Sequence, residues 1–381
     1  MSVAFKAPIN PEVLRWARES LAIDLKKASK GVAVPIEEYK KWESGDELPP
    51  ISKVQKLADI YKRPLAAFFM PVVPETPPLP KDFRRIHPED DEKLSTESLL
   101  IIRKALWNQT IAKELMNEIG YPVRPIRKKK IKLGDNVEKT VEKIRKTEVD
   151  IQLSWTDNWE ALKRWREYLE DEEEIFVFQY PMPKEEIRGF SLIRKDYPPV
   201  IVINSKDTPN GRIFTLFHEF AHYLLNQDGI CSPDESDIGN QNMFEKYCDE
   251  FAANFLVPRK SLETIMSERN FSDIFEQIAF LSKKFKVSSF VILRRFYELK
   301  IVKLKEYHNI YQILLSKIRK TGSSGGNFYK NKFAEKGRKF ISLVVEAESG
   351  NSIPTSRALE MLGIQLKQYN KIIEMLYERE L

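Results

Sequence analysis

The chain has 381 residues, 42% hydrophobic and 31% charged, with a net charge of +6; at about 100–200 residues per domain this length calls for two to four cores. No run of about 18 apolar residues occurs, which excludes a helical membrane span, and the two cysteines, Cys231 and Cys248, cannot form a disulfide scaffold. Charge is uneven: residues 283–339 carry 16 Lys and Arg against 3 Asp and Glu, while 227–251 carry 1 against 7 and 157–186 carry 4 against 10. The basic stretch suits a polyanion, a solvated helical face or docking on the acidic part. The opening MSVAFKAPINPEVLR shows no hydrophobic export segment, so a cytoplasmic location with reduced thiols is expected.

Residues 11–70 read as five short helices broken at Gly31, Pro35, Gly45 and Pro49–Pro50, and the second and third have the spacing of a helix-turn-helix. Residues 71–90 hold six prolines and read as an extended linker. Helices are expected at 95–119, 135–146 and 157–170, with a basic loop at 124–132. The period then shifts, and IFVFQYP, GFSLIR and PVIVINS predict strands near 175–180, 189–194 and 199–204. RIFTLFHEFAHYLLN is helical and nearly all apolar, so it belongs in a core. NMFEKYCDEFAANFLVP is a second helix, stopped by Pro258. Residues 274–302 read as three short helices, GSSGG at 322–326 as a flexible break, and 332–347 and 366–379 as two closing helices.

The chemistry sits in His218-Glu219-Phe220-Ala221-His222. Histidines four apart share one helical face, so both rings reach a single ion, and Glu219 lies beside the first as a proton acceptor for water. With four histidines in the chain, a chance HExxH has an expectation on the order of 0.01. The competing reading, two buried histidines and a carboxylate satisfied by separate hydrogen bonds, needs three partners where one metal ion suffices. A catalytic zinc takes three protein ligands and keeps a fourth position open. Glu245 and Asp249, four apart on the next helix, are the candidates: Glu245 as third ligand and Asp249 as acceptor from a ligand histidine. Glu250 points about 100° away from Asp249. The bland alternative makes both surface charges, against the apolar run CDEFAANFL around them. Tyr223 and His308 are possible oxyanion donors without a motif.

TLFHEFAHYLL followed by EKYCDEFAANFLVP resembles the peptidase core of the ImmA/IrrE family. The second signature stands here as Glu245, Cys248, Asp249, Phe251-Ala252-Ala253 and Pro258. Ala221 and Cys248 replace a frequent Gly and Ala, and both are small. KKFKVSSFVILRRFYELKIV is similar to the helical unit that often follows this core. WESGDELPPISKVQKLADIYKRPLAAFFMP resembles the Cro/C1-type (Xre) helix-turn-helix often fused to it.

The resemblance implies a mainly α protein with an α+β zinc-peptidase core. Its expected parts are a helix-turn-helix domain at 1–70, a linker at 71–94, the metallopeptidase at 95–270, a second helix-turn-helix-like unit at 271–304 and a basic helical region at 305–381. It also implies a Zn2+-dependent endopeptidase that cleaves a helix-turn-helix repressor. DNA would be bound through residues 1–70, and a homodimer is compatible. The expected recognition helix spans Pro35 to Glu43, with Glu38, Tyr39, Lys40 and Lys41 toward DNA and Trp42 in the core. Glu37 and Glu38 suit the helix dipole but repel phosphate, so a bundle that docks a protein is the rival reading. The rival for the whole chain is a transcriptional regulator or antitoxin-like protein with a non-catalytic metal site.

Overall fold

The computed structural model describes residues 5–75, 79, 81–82, 94–121, 131–145, 149–226, 229–231, 243–317 and 328–378. Its contacts divide the chain into two compact units, Met1–Leu79 with Glu89–Lys104 and Pro80–Pro88 with Ala105–Leu381. One long helix, Thr96–Glu118, runs from the first into the second. Most of the basic loop and the whole GSSGG break lie outside the described residues.

The first unit holds α1 (Pro11–Glu19), α2 (Leu25–Gly31), α3 (Ile36–Ser44), α4 (Ile51–Tyr61), a 3-10 turn (Leu65–Phe69) and the start of α5 (Thr96–Glu118). Asn10 and Asp24 cap α1 and α2 by accepting from the Glu12 and Lys27 amides. Four residues connect α2 to α3, which pack on each other, and α3 stops at Gly45 with φ +84°. Arg18 on α1 pairs with Glu43 on α3 at 2.7 Å, both nearly buried. The core gathers Leu14, Ala17, Trp42, Val54 and Leu57. Tyr39 requires a correction. It is fully buried, and its hydroxyl meets that of Tyr61 at 2.7 Å. It stands three residues before Trp42 and shares that inward face, so it cannot touch DNA.

The second unit begins with β1 (Lys81–Asp82), the rest of α5, α6 (Val137–Ile144), α7 (Val149–Ser154) and α8 (Asn158–Asp171). Three buried strands follow, β2 (Phe176–Tyr180), β3 (Gly189–Leu192) and β4 (Val200–Asn204), then α9 (Pro209–Leu224), β5 (Gly229–Cys231) and α10 (Met243–Leu256). The chain continues as α11 (Arg259–Ser267), α12 (Ile274–Phe285), α13 (Ser289–Glu298) and α14 (Leu304–Ser316). It closes with α15 (Phe328–Lys336), α16 (Arg338–Ser349), α17 (Thr355–Leu362) and α18 (Leu366–Tyr377).

The small mixed sheet runs β1-β5-β3-β4-β2. Strand β2 is parallel to β4, and β3 is antiparallel to β4 and β5. Both faces are covered, which is why its strands read as nearly unbroken apolar runs. Val177, Ile201 and Ile203 join the cluster that includes Phe217 and Phe220 of α9. The opposite face carries Phe176 and Phe178, which meet Phe340 of α16 at ring distances of 6.3 and 5.5 Å. On that face, too, Gln109 of α5 donates to the carbonyls of Leu192 and Pro198 at 3.1 and 2.8 Å.

The last helices are tied to this scaffold through backbone atoms. Buried Arg166 donates to the carbonyls of Phe333, Ala334 and Val177, and Glu170 accepts from the Lys339 amide. Gly337 between them has φ +82°, and a Cβ there would run into Glu170 and the Val177 carbonyl. Residues expected as separate pieces after 270 therefore belong to the same compact unit as the sheet. Two further expectations change. Residues 274–302 hold two helices, because the third begins only at Leu304. The described residues after 327 hold four helices, because Gly337 divides the expected 332–347 helix and a further helix, Thr355–Leu362, bounded by Pro354 and Gly363, lies between the expected pair. Among the described residues no helix is long and apolar enough to cross a membrane.

Candidate metal centre

Helix α9 is started by Thr208, whose side chain accepts from the Gly211 amide, with Pro209 at the first helical position. From Ile213 to Leu224 every residue is buried. One face of α9 is locked by aromatic packing: Phe217 stacks on Phe255 of α10 at 4.3 Å and meets Trp165 of α8 edge-on at 4.9 Å. Another face carries His218 and His222, one turn apart, toward α10. A close approach of strand to helix completes the mount. A Cβ at Gly189 of β3 would overlap Thr215 Cγ2 and come within 3.3 Å of Glu219 Cγ.

His218, His222 and Glu245 bring their donor atoms together. The two Nε2 atoms lie 3.2 Å apart, His222 Nε2 lies 3.2 Å from Glu245 Oε1, and His218 Nε2 lies 3.3 Å from Glu245 Oε2. The histidines are fully buried and Glu245 is nearly so. His218 Nδ1 lies 2.7 Å from Asp249 Oδ1. With its proton on that nitrogen, His218 presents an Nε2 lone pair to the centre. Acceptor atoms this close need positive charge among them, either a proton or a metal ion. A tetrahedral ion with bonds of about 2.0–2.2 Å holds its ligand atoms about 3.3–3.6 Å apart; the distances here lie close to the short end of that spacing, with a different Glu245 oxygen facing each histidine, so the donor set suits an ion of zinc's size. These three residues are the group of His, Cys, Asp and Glu that could hold a metal ion among the described residues.

The electrostatics agree with a cation-binding centre. Burial works against charge on His218, but Glu245 and Asp249 outweigh it, so its pKa is raised well above the ordinary value. Burial lowers the pKa of His222. Burial opposes ionisation of Glu245 and Asp249 as well, yet both are held below the ordinary carboxylate range. His218 and His222 act on Glu245, and Arg294 and His218 act on Asp249. Burial, helped by the neighbouring carboxylates, pushes the Cys248 thiol up, so it stays protonated and inert.

Each residue read from the signature thus has a definite position. Glu219 is fully buried beside His218, and Glu245 and Asp249 face the histidines from α10. Glu250 meets them in neither role: its carbonyl accepts from Asn254, and its side chain lines a cleft with Lys246, Asn254 and Arg294. Tyr223 stacks on Phe220 in the core, and His308 is exposed on α14. In the first unit, Glu38 is half-buried, and exposed Lys40 and Lys41 pair with Glu37 at 2.8 Å and Glu47 at 2.5 Å.

One participant escaped the sequence reading. Arg294 of α13 donates to Asp249 Oδ2 at 2.8 Å, fully inside the protein. Its only sequence signal is a pair of arginines inside the apolar run VILRRFY.

No curated protein and no solved structure matches the chain. Residues 170–297, from the end of α8 through Arg294 to α13, match the model of the Peptidase_M78 family, described as an IrrE N-terminal-like domain.

Proposed function

We propose that the protein is a zinc-dependent endopeptidase whose first unit binds DNA and whose substrate is a helix-turn-helix repressor. The observation that carries the peptidase reading is the cluster of His218, His222 and Glu245, whose facing donor atoms lie 3.2–3.3 Å apart, beside a buried Glu219 that is not one of them. Zinc bound there supplies Lewis acidity, making water acidic enough to lose its proton near pH 7. Glu219 accepts that proton and returns it to the leaving amine. His218, His222 and Glu245 would hold the ion, and Asp249 fixes the His218 ring by accepting a hydrogen bond from its Nδ1–H. The strand–helix contact at Gly189 keeps Glu219 in place from the other side. The DNA-binding part of the reading rests on α2 and α3, four residues apart, with Lys40 and Lys41 exposed on the second helix.

The test is Glu219→Gln. The amide keeps the shape and loses the basicity. The variant should retain zinc, bind a repressor encoded near this gene and cleave it about 10²–10⁴-fold more slowly. Cleavage at the wild-type rate would remove Glu219 from the mechanism. A zinc-loaded wild-type protein that cuts no repressor would favour the regulator with a non-catalytic metal site. Binding of the full chain to duplex DNA should weaken steeply with salt; a flat salt response would turn the first unit into a protein-docking bundle.

A further inference from the structure

Helices α12 and α13 read in sequence as a unit that follows the peptidase, yet α13 reaches the metal centre through a line of buried charge. Asp249 is 1% exposed and spends both oxygens on charged or polarised donors: Oδ1 on His218 Nδ1 at 2.7 Å and Oδ2 on Arg294 Nη1 at 2.8 Å. Arg294 is itself buried, and its Nε donates to Glu298 Oε1 at 3.2 Å. Glu298 also takes Arg295 Nη1 at 2.6 Å and Asn254 Nδ2 at 3.2 Å. The guanidinium is therefore oriented from behind before it meets Asp249.

The adjacent arginines divide two tasks. Arg295 donates through Nε to the carbonyl of Val257, just past the end of α10, at 3.0 Å. That bond docks α13 on α10 and has no partner at the metal centre. Arg294 makes the one contact from α13 to the carboxylate that holds His218. A buried carboxylate keeps its charge and direction only while cationic or N–H donors face it. Without Arg294, Asp249 Oδ2 loses its guanidinium donor and the carboxylate is no longer held in one direction. The His218 Nδ1 proton then loses a fixed acceptor.

We propose that Arg294 is a positioning residue for the metal centre, acting through Asp249 on the His218 ring, and that α13 is thereby a working part of the peptidase. This rests on the metal reading above. The partners behind a metal ligand typically matter 10–100-fold in affinity. Arg294→Met should weaken zinc binding by about tenfold, while Arg294→Lys, which keeps the charge, should stay within a few-fold of wild type.

The experiment is a double-mutant cycle read as the zinc dissociation constant of the full chain, with a chromophoric chelator as competitor. The four proteins are wild type, Asp249→Asn, Arg294→Met and the double variant, and Arg166→Met, which removes a buried arginine bonded to the Phe333, Ala334 and Val177 carbonyls, serves as control. Once Asp249 is Asn, replacing Arg294 should change the zinc constant less than twofold. The control should lose thermal stability and keep its zinc constant. Should Arg294→Met fold poorly, the cycle is run with Arg294→Gln. Losses that multiply in the double variant, or an Arg166→Met protein that loses zinc as much as Arg294→Met does, would reduce Arg294 to a packing residue. A wild-type chain that binds no zinc would overturn the metal reading and this proposal with it, an outcome distinct from zinc binding with multiplying losses.

Discussion

Replacing Gly189 with alanine tests how closely strand β3 must approach α9. The new Cβ would overlap Thr215 Cγ2, lie 3.0 Å from the Val202 carbonyl and press on Glu219 Cγ at 3.3 Å. Thr215 is 2% exposed and cannot swing away, and the Val202 carbonyl is fixed within the β3–β4 pair. Overpacking a tight interior by one methyl costs about 1–3 kcal/mol. In domains of 150–250 residues each kcal/mol lowers the melting midpoint by about 2–4 °C, so a fall of roughly 2–12 °C is expected. The larger part should be reversed by Thr215→Ser, which removes the clashing methyl and keeps the hydroxyl. The assay is urea and thermal unfolding of the two single variants and the double variant, with peptidase turnover measured alongside. Because the strain also falls on Glu219, Gly189→Ala should lose turnover beyond what its unfolded fraction explains. A Gly189→Ala protein as stable as wild type, or a double variant no better than the single, would refute the close-approach argument.

Three further outcomes are expected. The purified protein should carry about one zinc per chain, and His218→Ala, His222→Ala or Glu245→Ala should each lose it, since three ligands leave no redundancy; full zinc content in Glu245→Ala by elemental analysis would displace Glu245 from the ligand set. Zinc affinity should fall with decreasing pH, starting above the ordinary histidine value of about 6.5, because the ion must displace a proton from His218, whose pKa is raised in the metal-free protein. The sign for stability is opposite. His218 stabilises the metal-free protein at low pH, and that contribution disappears as pH rises through its raised pKa; zinc titrations of metal-free protein at pH 6 and pH 8 with equal affinities would contradict the assignment. In the first unit, Arg18→Met strands Glu43, 6% exposed, without its partner and should cost about 3–5 kcal/mol, read by urea unfolding.

Sequence spacing reveals contacts that lie within one helix or on two helices that each carry a four-residue repeat. His218 and His222 share a face for that reason, and so do Glu245 and Asp249. Strands β2, β3 and β4 were legible because both sheet faces are covered there, which leaves apolar runs bounded by Pro, Gly and Lys; β1 and β5, two and three residues long, were not. Two other features left weaker marks. Arg294 meets Asp249 across 45 positions, and no periodicity connects residues on helices so far apart. Tyr39 has the composition of a surface aromatic beside two lysines, and only its registration with Trp42 reveals that it points inward. The closing helices were undercounted because Gly337, at φ +82°, breaks the expected 332–347 helix, and because the helix between the expected pair, Thr355–Leu362, has only eight residues in which to show a hydrophobic period.

The attachment of α15 and α16 to Arg166 and Glu170 sets an order on biosynthesis. Phe176 and Phe178 emerge from the ribosome well before Phe340, their cover on the far face of the sheet. Until residues 328–349 are made, Phe176 and Phe178 lack that cover, Arg166 lacks the Phe333 and Ala334 carbonyls, and Glu170 lacks the Lys339 amide. The scaffold behind the histidines is therefore completed by helices translated long after it. A nascent or prematurely ended chain would carry the full HExxH signature on an unfinished sheet, with its apolar back exposed to chaperones and to its own copies.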